Sequence, residues 1–210
     1  MGEKHPAYYT AAGPGSGEIT EKRSRFIADV LPVTSEKEVQ EQLASIKKRY
    51  YDARHHCYAF SLGPAGELVR SSDDGEPSGT AGRPIMAVLA GAGLTDTMIV
   101  VTRYFGGILL GAGGLVRAYT QAAKEALKAT ETVKVEWCRD LEITVDYDRV
   151  TPVQRFFEQN GLAVDGTVYD EKAHFVTHII TDDIEKVSAS LVSLTEGRVT
   201  IVRGGEGYRR

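Results

Sequence analysis

The chain has 210 residues, 42% of them hydrophobic and 26% charged, ordinary values for a globular protein with room for one large domain or two small ones. Its net charge of −4 is uneven: residues 1–136 balance 16 Lys and Arg against 16 Asp and Glu, whereas residues 137–210 carry 9 against 13, so neither part has the basic excess of a dedicated nucleic-acid binder, although a local basic face fits these totals. No apolar run reaches the roughly 18 residues of a membrane span and MGEKHPAYYTAAGPG lacks the apolar centre of a signal peptide, so a cytoplasmic protein with no membrane partner is expected.

In chain order, residues 1–16 read as a flexible arm, because Gly-Pro-Gly-Ser-Gly favours irregular chain. RFIADVLPV alternates as a strand. SEKEVQEQLASIKKRY follows as a helix, with a capping box of Ser35 and Glu38 and apolar Val39, Leu43, Ile46 and Tyr50 at spacings of 4, 3 and 4. CYAFSLG and ELVRSS flank PAG as a hairpin. RPIMAVLAGAGL reads as a short helix with Pro84 in its first turn, and TMIVVTRY as a buried strand. FGGILLGAGG is a glycine-rich turn leading into the alanine-rich helix LVRAYTQAAKEALKAT. Near 131–138 a second pattern begins: strand LEITVDY, helix TPVQRFFEQNG with Thr151 as N-cap, strands LAVDGTVYD and AHFVTHIIT, helix DDIEKVSASLVSLTEG and strand RVTIVRG. This β-α-β-β-α-β order is that of a ferredoxin-like unit, and the whole is of the α+β class.

The richest stretch chemically is SSDDGEPSGTAGRPI, residues 71–85. Asp73, Asp74 and Glu76 could surround a hard cation, but they lack the alternating ligands and terminal Glu of an EF-hand loop. The simpler reading has Asp73 and Asp74 accept backbone N–H bonds in a tight turn. GEPSGTAGRP and GGILLGAGGL offer backbone amides for an anion, helped by Ser78, Thr80 and Arg83. Neither is a nucleotide loop: Ala112 stands where a Walker A lysine belongs, and Val116 where GxGxxG needs its third glycine. His55, His56 and Cys57 lie side by side on a strand, where neighbours face opposite ways, so no metal site is expected; His55 is a candidate general base. Cys57 and Cys138 form no CxxC pair and read as reduced thiols. No GxSxG or other nucleophile frame occurs. Of the arginines Arg23, Arg25, Arg54, Arg83, Arg103 and Arg117, four sit beside Gly, Pro or aromatic residues, and Arg103-Tyr104-Phe105 joins a forked cation to two aromatics suited to phosphate and base.

DDGEPSGTAGRPI and VVTRYFGGILLGAGGLVRAY, with EKRSRFIA and RHHCYAF before them, together resemble the signature of the IMPACT / YigZ family, and residues 139–203 resemble the small domain that follows it in bacterial members. The resemblance implies residues 17–136 folded like the second domain of ribosomal protein S5. It implies residues 137–205 folded as a ferredoxin-like domain similar to the last domain of elongation factor G. Both folds recur in ribosome- and RNA-associated proteins, so the first expectation is a non-enzymatic RNA- or ribosome-associated protein that regulates translation, with no cofactor. Arg83, Arg103 and Arg117 would contact phosphate while Tyr104 and Phe105 stack. Arg25, His56, Asp74, Glu76, Ser78, Thr80, Gly106, Gly107, Gly111, Gly113 and Gly114 would complete the surface. The rival is a phosphate- or nucleotide-binding enzyme, in which Asp73, Asp74 or Glu76 holds magnesium or acts as base. A protein–protein adaptor, the role of eukaryotic members, is the third reading. One shared site follows only if residues 73–83 and 103–117 converge.

Overall fold

The computed structural model describes residues 5–210. The chain divides into two compact units, Pro6–Lys134 and Val135–Arg210, the latter including His5.

The N-terminal unit is built on an antiparallel sheet in the order β2 (Gly15–Glu21), β3 (Ser24–Pro32), β6 (Thr97–Tyr104), β4 (His55–Leu62), β5 (Leu68–Ser72). Helices cover both faces, which is why β6 shows a continuous apolar run instead of alternation. On one face Phe26, Ala28, Cys57, Ile99 and Val101 pack beneath α2 (Gly82–Gly91) and α3 (Gly111–Lys128). On the other, Leu31, Phe60, Met98 and Val100 meet Val39, Leu43 and Ile46 of α1 (Glu36–Arg49). Ser35 caps α1 as expected, accepting a bond from the Glu38 N–H, while Glu38 reaches back one residue further to the Thr34 N–H.

The expected flexible arm is a correction. Of residues 1–16, positions 1–4 lie outside the described residues, but Tyr8–Ala11 form a strand, β1, and Gly15 opens β2. β1 is pinned where Thr10 Oγ1 donates to the Asp96 carbonyl and the Ala11 N–H to Thr97 Oγ1. The glycines are there for proximity. A Cβ on Gly15 would overlap Thr130, and one on Gly17 would lie 2.5 Å from the Ala126 nitrogen of α3. Gly17 lacks a side chain so that strand and helix backbones can meet, and Gly15 so that β2 can pass the Thr130 side chain just beyond α3.

In the C-terminal unit, β7 (Thr132–Val145), β9 (Ala173–Ile180), β8 (Val164–Tyr169) and β10 (Val199–Arg209) form an antiparallel sheet in the order β10-β7-β9-β8. That is the 4-1-3-2 order of a ferredoxin-like βαββαβ unit. Leu141, Ile143 and Phe175 pack against Val153 and Phe157 of α4 (Val150–Gln159) and Leu191 of α5 (Ile184–Leu194). Thr151 is not the cap of α4: a 3-10 turn at Tyr147–Arg149 runs directly into the helix, which starts at Val150. Pro152 thus lies in the first turn, where its missing N–H costs nothing. No described helix is long and apolar enough to cross a membrane.

Candidate functional site

The acidic loop joins β5 to α2 and is organised from within by Asp73. Its carboxylate accepts N–H bonds from Gly79 (2.8 Å), Ala81 (3.0 Å) and Gly82 (2.8 Å), so it serves as a remote cap for the start of α2, whose own N-cap Ala81 has no side-chain acceptor. Desolvation pushes the Asp73 carboxyl up, but the three donors together outweigh it and hold the group below the ordinary aspartate value. Asp74, at φ +40°, turns back to the sheet. Its Oδ2 accepts from the His56 N–H at 2.7 Å and its carbonyl lies 2.9 Å from His55 Nδ1. The turn reading of the two aspartates is the geometry found.

Glu76 is the buried centre of the region, 8% exposed. Its Oε1 accepts from Arg103 Nη1 at 2.6 Å and from the Tyr119 hydroxyl at 2.7 Å. The Cys57 thiol lies 3.4 Å from that hydroxyl and donates to the Asp73 carbonyl at 3.0 Å. Burial pushes the Cys57 thiol up to about 12 and the Tyr119 phenol far above its ordinary value, so both stay protonated. Arg103, 6% exposed, is sandwiched with its Cζ 5.5 Å from the rings of both Phe26 and Phe105. An ion pair this buried needs its partners fixed: removing one would strand the other without solvent.

Residues 73–83 and 103–117 therefore converge through Glu76 and Arg103, but inward. Glu76, Thr80 and Arg103 are buried and Asp73 half-buried, Thr80 Oγ1 donating to the Pro77 carbonyl. Arg103 as a surface contact to phosphate is accordingly corrected: its charge is spent on Glu76. Arg25, His56 and Tyr104 lie on the opposite side of the sheet, because Arg25 pairs in register with Tyr104 and His56 with Thr102, one residue out of phase with Arg103. There Arg25 forks onto Glu18 with both bonds at 2.7 Å, the Tyr104 phenol donates to Asp52 at 2.8 Å, and His56 Nε2 meets the Tyr50 carbonyl at 3.2 Å. Burial, the largest influence, pushes the His56 imidazole down. Among the described residues no three His, Cys, Asp or Glu side chains are placed to share a metal ion.

What faces outward is a different set. Ser78, Arg83, Phe105, Gly107, Gly111, Gly113 and Arg117 are exposed, and Gly114 half-buried. Gly106 is pressed on the β2–β3 turn, where a Cβ would overlap the Arg23 backbone, and its N–H donates to Ser24 Oγ at 3.1 Å. Beyond it the loop opens: Gly107 and Gly111 have φ of +83° and +70° with nothing near, and Leu109 is 82% exposed. Beside this loop, between β2 and the first turns of α3, lies a cleft of about 440 Å³ lined by Ile19, Glu21, Lys22, Leu110, Arg117 and Gln121, among others. Sequence reasoning overlooked Lys22, Ile19 and Tyr119. Tyr119 had one legible signal, as the sole aromatic on the small-residue face Leu115, Ala118, Ala122, Ala126 of α3.

The α+β fold, the signature stretches converging on one buried ion pair and the following βαββαβ unit define a two-domain protein of the type that opens with an Impact N-terminal domain. That model matches residues 22–127, and a domain of unknown function (DUF1949) matches residues 143–198. The chain belongs to the IMPACT family, as a two-domain IMPACT / YigZ member. It is 36% identical over 202 residues to IMPACT family member YvyE of Bacillus subtilis, covering 96% of this chain and 93% of that one. It is 31% identical over 183 residues to IMPACT family member YigZ of Escherichia coli, covering 86% and 90%. With Protein IMPACT of Bos taurus it shares 35% identity over 98 residues, 44% of this chain and 30% of that one. A solved crystal structure of a hypothetical protein superposes with a TM-score of 0.63 at 30% identity, over 93% of this chain and 96% of that one.

Proposed function

We propose that the N-terminal unit is a non-enzymatic RNA-binding module, through which the protein associates with ribosomal or other structured RNA and adjusts translation. The observation that carries this reading is the outward set around the β2–α3 cleft: exposed cations at Lys22, Arg23 and Arg117 beside an exposed ring at Phe105. Cations at such spacing neutralise phosphates, and a ring with one open face accepts a stacked base. The inner network supports it, since Glu76 holds Arg103 and Arg103 holds the Phe105 ring at 5.5 Å. The near-neutral unit is compatible with RNA because the cations gather at one place. Binding suits this geometry better than a reaction: both Asp73 oxygens and Glu76 Oε1 are engaged by protein donors inside the fold.

The test is filter binding of structured RNA across a salt series. Wild type should bind with an affinity that falls steadily with salt, and Arg117→Ala should weaken it while lowering the salt slope by about 1. Phe105→Ala should weaken binding at every salt concentration without changing the slope. Absent binding, or binding indifferent to salt, ends this reading.

A further inference from the structure

The C-terminal unit offers a surface that the reading above does not use. β8 is the last strand of its sheet, and among the described residues no strand pairs with its outer edge. Soluble proteins guard such edges with lysines or a covering element, because the unpaired N–H and C=O groups recruit another strand. This edge has no lysine. Residues 156–171, from the end of α4 through β8, hold four carboxylates (Glu158, Asp165, Asp170, Glu171) and no Lys or Arg.

Beside the edge lies a cavity of about 390 Å³ between α4 and β8, lined by Gln154, Phe157, Glu158, Leu162, Thr167 and Phe175, among others. Its lining joins buried Phe157 and Phe175 to polar Gln154 and Thr167 and the exposed carboxylate of Glu158. The two sides of β8 differ in register. Thr167 pairs with Phe175 over the cavity, whereas Val168 pairs with His174 on the open face of the sheet. On that open face Asp165 meets His178 at 2.8 Å and Asp170 meets His174 at 3.1 Å. Val168 is 60% exposed and Tyr169 54%, and Tyr169 stacks on the equally exposed Tyr147 with ring centroids 6.3 Å apart. An extended segment laid along this edge would send alternate side chains into the cavity and over the open face.

We propose that the β8 edge and the α4–β8 cavity form a docking groove for an extended segment of a partner protein, in which apolar residues alternate with basic ones. The apolar side chains enter the cavity over Phe157 and Phe175. The basic ones meet Asp165 and Asp170 on the open face, with Glu158 drawing charge at the rim. Charge selects this occupant over a second copy of the chain, because two β8 edges paired with each other would bring their carboxylates together.

The experiment is fluorescence anisotropy on the full chain with a labelled hexapeptide of alternating Lys and Val. Two controls accompany it: a Glu–Val peptide, and a Lys–Val peptide N-methylated along one edge so that charge and side chains remain but strand hydrogen bonds do not. The Lys–Val peptide should bind saturably, and both controls roughly tenfold or more weaker. Thr167→Lys, which fills the cavity side, should weaken binding about tenfold, as should Glu158→Lys, which lies on the exposed helix surface and leaves the strand intact. Equal binding of the N-methylated peptide, indifference to both substitutions, or self-association through this edge without peptide binding would each overturn the proposal.

Discussion

Two loops of the N-terminal unit hold three glycines each, yet they are built oppositely. The loop at 73–82 is closed from inside: one carboxylate gathers three backbone N–H groups, and Gly82 lies so near Ser72 that a Cβ would come within 2.9 Å of its backbone. The loop at 105–111 is tied down by the Phe105 ring, Gly106 and Leu110 but opens between them, where a Cβ on Gly107 would meet nothing. Gly82 and Gly106 are spacers against a neighbouring backbone, whereas Gly75, Gly79, Gly107 and Gly111 supply positive φ, the last two with open space where a Cβ would go. The difference arises from Asp73 and Glu76, which give the first loop internal acceptors that the second lacks. A stretch read as one polar surface is in fact a frame and what it presents.

That contrast is open to attack by mutation. The largest effect is expected from Glu76→Ala, which strands the Arg103 charge and the Tyr119 hydroxyl in the interior and should cost about 3–5 kcal/mol in urea unfolding. An effect no larger than that of a surface substitution would show that the frame does not depend on this ion pair. Next, Asp73→Asn should cost about 2 kcal/mol at neutral pH, by weakening bonds to an ionised acceptor. The sign with pH follows from the depressed carboxyl. The wild-type advantage is present above the ordinary aspartate value of about 3.9 and is lost as pH falls through the lower folded value, so the unfolding curves of the two proteins should converge in acid. The smallest effect is expected from Gly107→Ala in the open loop, where only the strain of positive φ applies, about 1 kcal/mol by the same unfolding measurement. If Gly107→Ala costs as much as Glu76→Ala, the loops are not the different objects described.

Much of the fold was legible because local and long-range signals agreed. Ser35 and Glu38 marked the start of α1, the apolar run of β6 marked a buried strand, and the order of short elements after 138 marked the ferredoxin-like unit that the sheet order bears out. Legibility failed where a glycine's reason lies in a distant residue. Gly15 and Gly17 suggest looseness until Thr130 and Ala126 are seen against them. The site was half legible for a related reason. Sequence shows that an arginine, rings and acids share a stretch, but alternation along the strands decides that Arg103 faces Glu76 while Tyr104 faces Asp52. Which cations face a ligand depends on which have been paired inside: Arg103 is taken by Glu76, whereas Lys22 and Arg117 line the cleft.

The Cys57 thiol, enclosed beneath Asp73 and Tyr119, has a consequence of its own. A sulfur that stays protonated and out of contact with water cannot be alkylated or oxidised until the 73–82 loop lifts from the sheet. Its modification rate is therefore a clock for that opening, readable in the unaltered protein, and it reports how often the frame around Glu76 comes apart.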